Sequence, residues 1–218
     1  MTLCRVQRRA GWLLPAVAVV FAALAVGAAK GWLPWDDDIQ RWTVEQRRAW
    51  RDTVAMRISW FGSTYVVLAV AAILAALAAR RWPRLAVAIV VLTLARPLTE
   101  FLLKELVGRE RPVGDRLVRG RGPSFPSGHP YAAAASWGML PLVVAAYTRR
   151  RAVWWAAAIG AWALIVLIAA SRVWLGVHWA SDVVGGVLLS VLGVYAAERL
   201  LGRLDPGFAP IRAGGVSV

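Results

Sequence analysis

The sequence holds a single cysteine, Cys4, and only two histidines, His129 and His178. One thiol excludes an intramolecular disulfide and any metal cluster built from cysteines. Acidic residues are also scarce, 12 in 218, and charged residues of both signs make up only 17% of the chain. No run of carboxylates is dense enough to form a cage for a cation. There is no low-complexity linker and no internal repeat. A soluble domain ordinarily carries about a quarter of its residues charged, so this chain is short of the groups that keep a surface in water.

What it has in excess is apolar sequence, 59% of all residues. Six segments carry it: Gly11–Ala29, Ile58–Ala79, Leu85–Leu103, Pro130–Thr148, Ala152–Ser171 and Val183–Leu201. A helix that crosses a bilayer needs about 20 such residues. The expected fold class is all-α, a polytopic membrane bundle of six transmembrane helices, with residues 1–218 forming a single integral membrane domain. The third segment carries Arg96 and Glu100, and the sixth has a short uncharged core before Glu198. The first segment follows Arg5, Arg8 and Arg9, as a signal peptide would. Its apolar run exceeds the roughly 7–15 residues of a signal core, so it reads as a retained anchor. Residues 202–218, with Gly202, Pro206, Gly207, Gly214 and Gly215, read as a short flexible tail.

The net charge is +14. The bases fall in short clusters between apolar runs instead of along a solvated stripe, and no groove-reading motif is visible. Nucleic acid is therefore not an expected partner; the membrane and an anionic substrate are. Six spans put both termini on one side and three connections on the other: Lys30–Arg57, Lys104–His129 and Arg172–Asp182. On the terminal side, Arg80, Arg81 and Arg84, and again Arg149, Arg150 and Arg151, abut the spans in very short loops. The positive-inside rule is strongest there, so the termini are expected in the cytoplasm. The first outer connection is rich in tryptophan, with Trp32, Trp35, Trp42 and Trp50. Indoles favour the membrane–water interface. This stretch reads as an interfacial anchoring helix, or as a lip that admits lipid sideways.

Three short stretches on the outer side concentrate the chemistry. In the first, Lys104 is followed after six residues by Arg111 and Pro112; the second is Pro126-Ser127-Gly128-His129. The third is Ser171-Arg172, then His178 after five intervening residues, then Asp182 after three more. Lys104, Arg111 and Arg172 stand at the edges of apolar helices, where a cation is costly unless paired or functional. Phosphoryl transfer needs such a set, because transition-state charge spreads over three equatorial oxygens. The plainer alternative is snorkelling, or salt bridges with Glu105, Glu110 or Asp115. Ser127 and Pro130 suit a helix start, which also offers free N–H groups to an anion. Gly128 would let phosphate approach the backbone. His178 and Asp182 are four apart and would share a helix face. A carboxylate on one ring nitrogen fixes the tautomer and frees the other as nucleophile or base. Both histidines fall within this outer-side set, which weakens the reading of either as an ordinary core residue. Arg96, Glu100 and Lys104 step by four and would form an ion-pair ladder that presets Lys104, unless they are simply polar residues of the bundle interior.

The three stretches resemble the signature of the type 2 phosphatidic acid phosphatase superfamily, which also includes vanadium haloperoxidases and glucose-6-phosphatase. Lys-six-Arg-Pro, Pro-Ser-Gly-His and Ser-Arg-five-His-three-Asp all occur, in order, within residues 104–182. Pro130, after His129, departs from the small residue expected there. The resemblance implies a membrane lipid phosphatase that needs neither metal nor cofactor. Its substrate would be a lipid phosphate: phosphatidic acid, phosphatidylglycerol phosphate or a polyprenyl diphosphate. His178 would attack phosphorus and form a phosphohistidine, and Asp182 would orient it. His129 would protonate the leaving oxygen and then activate water. Lys104, Arg111, Ser127, Gly128 and Arg172 would hold the phosphate oxygens. Rival readings are a lipid phosphotransferase using the same intermediate, a non-catalytic lipid-binding or transport protein, and a phosphatase of soluble sugar phosphates. The oligomeric state is not indicated.

Overall fold

A computed structural model describes residues 13–114 and 116–204; the Cys4 and Arg5–Arg9 region, Asp115 and residues 205–218 of the expected tail lie outside the described residues. Among the described residues the secondary structure is entirely helical. In chain order the helices are α1 (Leu13–Lys30), α2 (Trp35–Glu45), α3 (Ala49–Trp60), α4 (Thr64–Ala79), α5 (Pro83–Val107), α6 (Gly128–Trp137), α7 (Leu140–Tyr147), α8 (Arg151–Trp174) and α9 (Ala180–Leu204).

Among the described residues three helices are by themselves long and apolar enough to cross a bilayer: α5, α8 and the Ala180–Ala197 part of α9. Two further pairs qualify only when taken together, α1 with α2, bent by 78°, and α3 with α4, bent by 42°. The apolar runs therefore give three unbroken spans, or up to five if each bent pair is one span. The fourth expected segment differs most. It forms two short helices, α6 and α7, joined at Gly138–Met139. Pro141 sits in the first turn of α7, where its missing N–H breaks no ladder. Nearly all of α6 is buried, packed by α4, α5, α8 and α9. A helix sheathed by four others need not match the thickness of the hydrocarbon by itself. The foreseen start of α6 at a proline also has its explanation here, since Pro130 occupies the first turn.

The bundle closes through small residues. Ala133 and Ala134 of α6 pack against Ile165 and Ile168 of α8. At the other end, Ala71, Leu74, Ala75 and Ala78 of α4 meet Leu85 and Ile89 of α5 and Leu142 and Val143 of α7. Helices in lipid gain little from apolar burial and associate through such close contacts. The outward faces are apolar in turn, as Val91, Leu94 and Leu98 on α5 and Ile159 and Val166 on α8 show.

Helix α2 runs almost perpendicular to α1. Its tryptophans Trp35 and Trp42 are exposed with Trp32, while Asp36 and Thr43 are buried, as suits a helix lying flat at an interface. The connections Lys30–Arg57, Lys104–His129 and Arg172–Asp182 are tied to one another. Arg47 Nη2 donates to the Trp174 carbonyl at 3.2 Å, Trp174 Nε1 to Asp52 Oδ1 at 2.8 Å, and the Leu117 N–H to the Leu175 carbonyl at 3.0 Å.

Candidate active site

Helix α8 carries Arg172 in its last turn and stops at Trp174. A turn through Leu175 and Gly176 follows, with Gly176 at φ +73°, a left-handed value that favours glycine. His178 lies in this turn, two residues before α9, so it does not share a helix face with Asp182 as the spacing suggested. The pair meets because Asp182 turns back over the helix start. Its Oδ2 accepts the Trp179 N–H at 2.9 Å and the Ser124 hydroxyl. Its Oδ1 accepts Arg109 Nη1 at 2.9 Å.

His178 Nδ1 stands 3.4 Å from Asp182 Oδ2, longer than a formed hydrogen bond. Nε2 lies 3.1 Å from Arg111 Nη1. A guanidinium only donates, so Nε2 holds a lone pair and the ring proton sits on Nδ1, facing Asp182. Burial pushes the His178 imidazole down from 6.5 to about 4; Asp182 opposes this, and the charges of Arg111 and Arg172 add to it. The ring is neutral at pH 7.

The second motif is pinned to the third. The Ser127 N–H donates to the Asp182 carbonyl at 3.0 Å. Gly185 and Gly186 make room for this: a Cβ on Gly185 would fall 2.5 Å from the Phe125 ring, and one on Gly186 would fall 2.5 Å from the Ser127 carbonyl oxygen. Ser127 is the residue before α6, yet its side chain makes no capping bond. Its hydroxyl is fully buried and has no partner among the described residues. Ser127 thus stands at the helix start, as its residue type suits, but without a side-chain cap. The hydroxyl is a free donor beside a helix start whose N–H groups favour anions.

The three expected phosphate cations differ in their present engagements. Arg172 Nη1 donates to Ser59 Oγ at 2.7 Å, while its buried Nε has no partner among the described residues. Arg111 uses Nε and Nη2 on the carbonyls of Gly122, Arg121 and Pro123, and Nη1 on the Val177 carbonyl and His178. It straps the 121–123 loop to the His178 turn. Lys104 Nζ lies 2.8 Å from Glu100 Oε1, and Arg96 Nη1 lies 2.7 Å from Glu100 Oε2. The ladder expected from the four-residue steps is thus formed. A cavity of about 540 Å³ opens beside it, lined among others by Arg96, Glu100, Lys104, Arg121, Gly128 and His129. Among the described residues no three His, Cys, Asp or Glu side chains converge to hold a metal ion.

Several residues of the site escaped the sequence reading. Ser124 and Arg109 both bond Asp182, and Asp36 bonds Arg109 Nη2 at 2.7 Å. Arg109 stands two residues before Arg111, and that proximity was an available signal. Asp36 is one of three consecutive aspartates, and nothing local says which of them turns inward.

The family model of the PAP2 superfamily matches residues 84–204. The chain is 30% identical over 165 residues to phosphatidylglycerophosphatase B of Bacillus subtilis (strain 168), covering 72% of this chain and 78% of that one. The crystal structure of a transmembrane PAP2-type phosphatidylglycerolphosphate phosphatase from Bacillus subtilis superposes with a TM-score of 0.77 at 26% identity, covering 91% of this chain and 98% of that one. LpxE of Aquifex aeolicus shares the fold, with a TM-score of 0.56 at 18% identity over 73% of this chain and 92% of its own.

Proposed function

This chain belongs to the PAP2 superfamily and is an integral membrane protein, and from that premise we propose that it hydrolyses a lipid phosphate through a phosphohistidine on His178. The observation that carries the proposal is the His178 ring, neutral and buried, with the Nε2 lone pair facing the Arg111 guanidinium. Nε2 attacks phosphorus, the N–P bond forms and the P–O bond to the lipid breaks. His129, carried into the step as an imidazolium by the negative charge of the bound phosphate, gives its proton to the leaving oxygen. It then takes a proton from water as that oxygen attacks phosphorus, the N–P bond breaks and phosphate leaves. Asp182 stabilises the Nδ1–H of the charged ring. Arg172 Nε, the Ser127 hydroxyl, Lys104 and the N–H groups at Gly128 hold the phosphate oxygens, and the Arg111 donor on Nε2 shifts to an oxygen as the nitrogen is consumed. Such preorganised donors are the largest catalytic contribution in most enzymes.

The chain crosses the membrane with its apolar segments, termini in the cytoplasm and the site on the outer side. The placement of Lys104 and His129 on the cavity wall suits a headgroup presented from the membrane edge. Substrates in this proposal are phosphatidylglycerol phosphate first, supported by the names of the Bacillus subtilis relatives, then phosphatidic acid and a polyprenyl diphosphate. The test is phosphate release by the purified protein in detergent with chelator present, on these three lipids and a soluble sugar phosphate. Release from a lipid that survives chelator and is lost in His178→Ala is expected. Release retained in that variant removes the phosphohistidine.

A further inference from the structure

We propose that Asp36, on the interfacial helix α2, is a positioning residue for the His178–Asp182 pair and acts through Arg109. The inference rests on the role given to that pair above. Asp36 is 2% exposed, while its neighbours Asp37 and Asp38 face outward. Its Oδ2 accepts Arg109 Nη2 at 2.7 Å and the Ser181 hydroxyl, and its Oδ1 accepts the Ser181 N–H at 2.9 Å. The other arm of Arg109 donates to Ser181 Oγ at 2.6 Å and to Asp182 Oδ1 at 2.9 Å. The guanidinium carbon lies 5.3 Å from the centroid of the Trp179 ring.

One buried cation is thus shared between two buried carboxylates that come from opposite ends of the sequence. The planar fork holds both in fixed directions, which a lysine could not do. Asp182 must stay ionised at zero exposure and keep Oδ2 aimed at His178. A lone guanidinium on the loop after α5 could turn about its side chain; Asp36 removes that freedom by gripping the second arm. Asp36 also ties down the start of α9, because Ser181 is in its first turn. Both effects set where Asp182 stands relative to the ring.

Asp36→Asn separates the two effects, since the amide keeps a carbonyl for the Ser181 N–H and removes the charge that faces Arg109. With phosphatidylglycerol phosphate in detergent, kcat should fall by about tenfold or more, while KM stays within about twofold, as expected for an interaction realised in the transition state. The melting temperature should stay near that of the wild type. In the double variant Asp36→Asn/Arg109→Gln, kcat should equal that of Arg109→Gln alone, because a residue acting through Arg109 has nothing left to act on. Should Arg109→Gln fail to fold, the kcat against KM split in Asp36→Asn decides alone. Wild-type kcat in Asp36→Asn overturns the proposal, as does a loss of kcat that only tracks a loss of thermal stability. His178→Ala is run alongside. If it is inactive while Asp36→Asn is unimpaired, only the positioning role fails; if it retains turnover, the reading of the pair fails first.

Discussion

Replacing Gly128 by alanine tests the proposed phosphate end of the site with one methyl group. An ideal Cβ there would lie 2.2 Å from Glu100 Oε1 and 2.5 Å from both Oε2 and Cδ. Ordinary contact begins near 3.4 Å, so the carboxylate must retreat by about 1 Å. Glu100 cannot do this freely, because it is held by Arg96 at 2.7 Å and Lys104 at 2.8 Å. These side chains are 11–17% exposed, between the limits of an exposed pair, worth under about 1 kcal/mol, and a broken buried pair, costing about 3–5 kcal/mol. A loss of about 2 kcal/mol for the ladder lies between them, and in a chain of this length it lowers the melting temperature by about 4–8 °C. The methyl also crowds the N–H groups at the start of α6, and losing one such donor costs about a hundredfold in rate. Tryptophan fluorescence, from 13 indoles, follows unfolding, and phosphate release follows turnover. Glu100→Ala/Gly128→Ala removes the clash, so it should melt no lower than Glu100→Ala alone and still turn over poorly. Gly128→Ala with wild-type melting and turnover would refute both the ladder and the helix-start phosphate site.

Acid should destabilise the fold through His178. The native ring resists protonation down to about 4 while the unfolded ring accepts a proton near 6.5. Stability is therefore full above about pH 6.5 and is lost as the pH falls toward 4, by up to about 3 kcal/mol. Melting temperatures between pH 7 and 4.5 should fall more steeply in the wild type than in His178→Ala, and equal slopes would remove His178 as the cause. Arg172→Lys should lower turnover by about a hundredfold, because the lysine lacks the planar fork that keeps Nη1 on Ser59 Oγ while Nε points elsewhere. Wild-type turnover in that variant removes Arg172 from the phosphate site.

The sequence by itself determined the all-helical class, the membrane-spanning composition, the three motifs and the Arg96–Glu100–Lys104 ladder. Each depends on residues near in sequence: apolar runs, cations at their edges, and four-residue steps along one helix. Tertiary structure alone decided what depends on neighbours from elsewhere. The fourth apolar segment divides into α6 and α7 because it is enclosed by other helices and need not meet lipid alone. Ser127 is held against Asp182 by its N–H, across a contact that Gly185 and Gly186 permit, and its buried hydroxyl finds no partner among the described residues. His178 meets Asp182 across a turn, not along a helix, and its tautomer follows from Arg111 reaching in from another connection. Asp36 joins the site from about 145 residues away, because a buried carboxylate needs a cation and Arg109 is held where it can serve two.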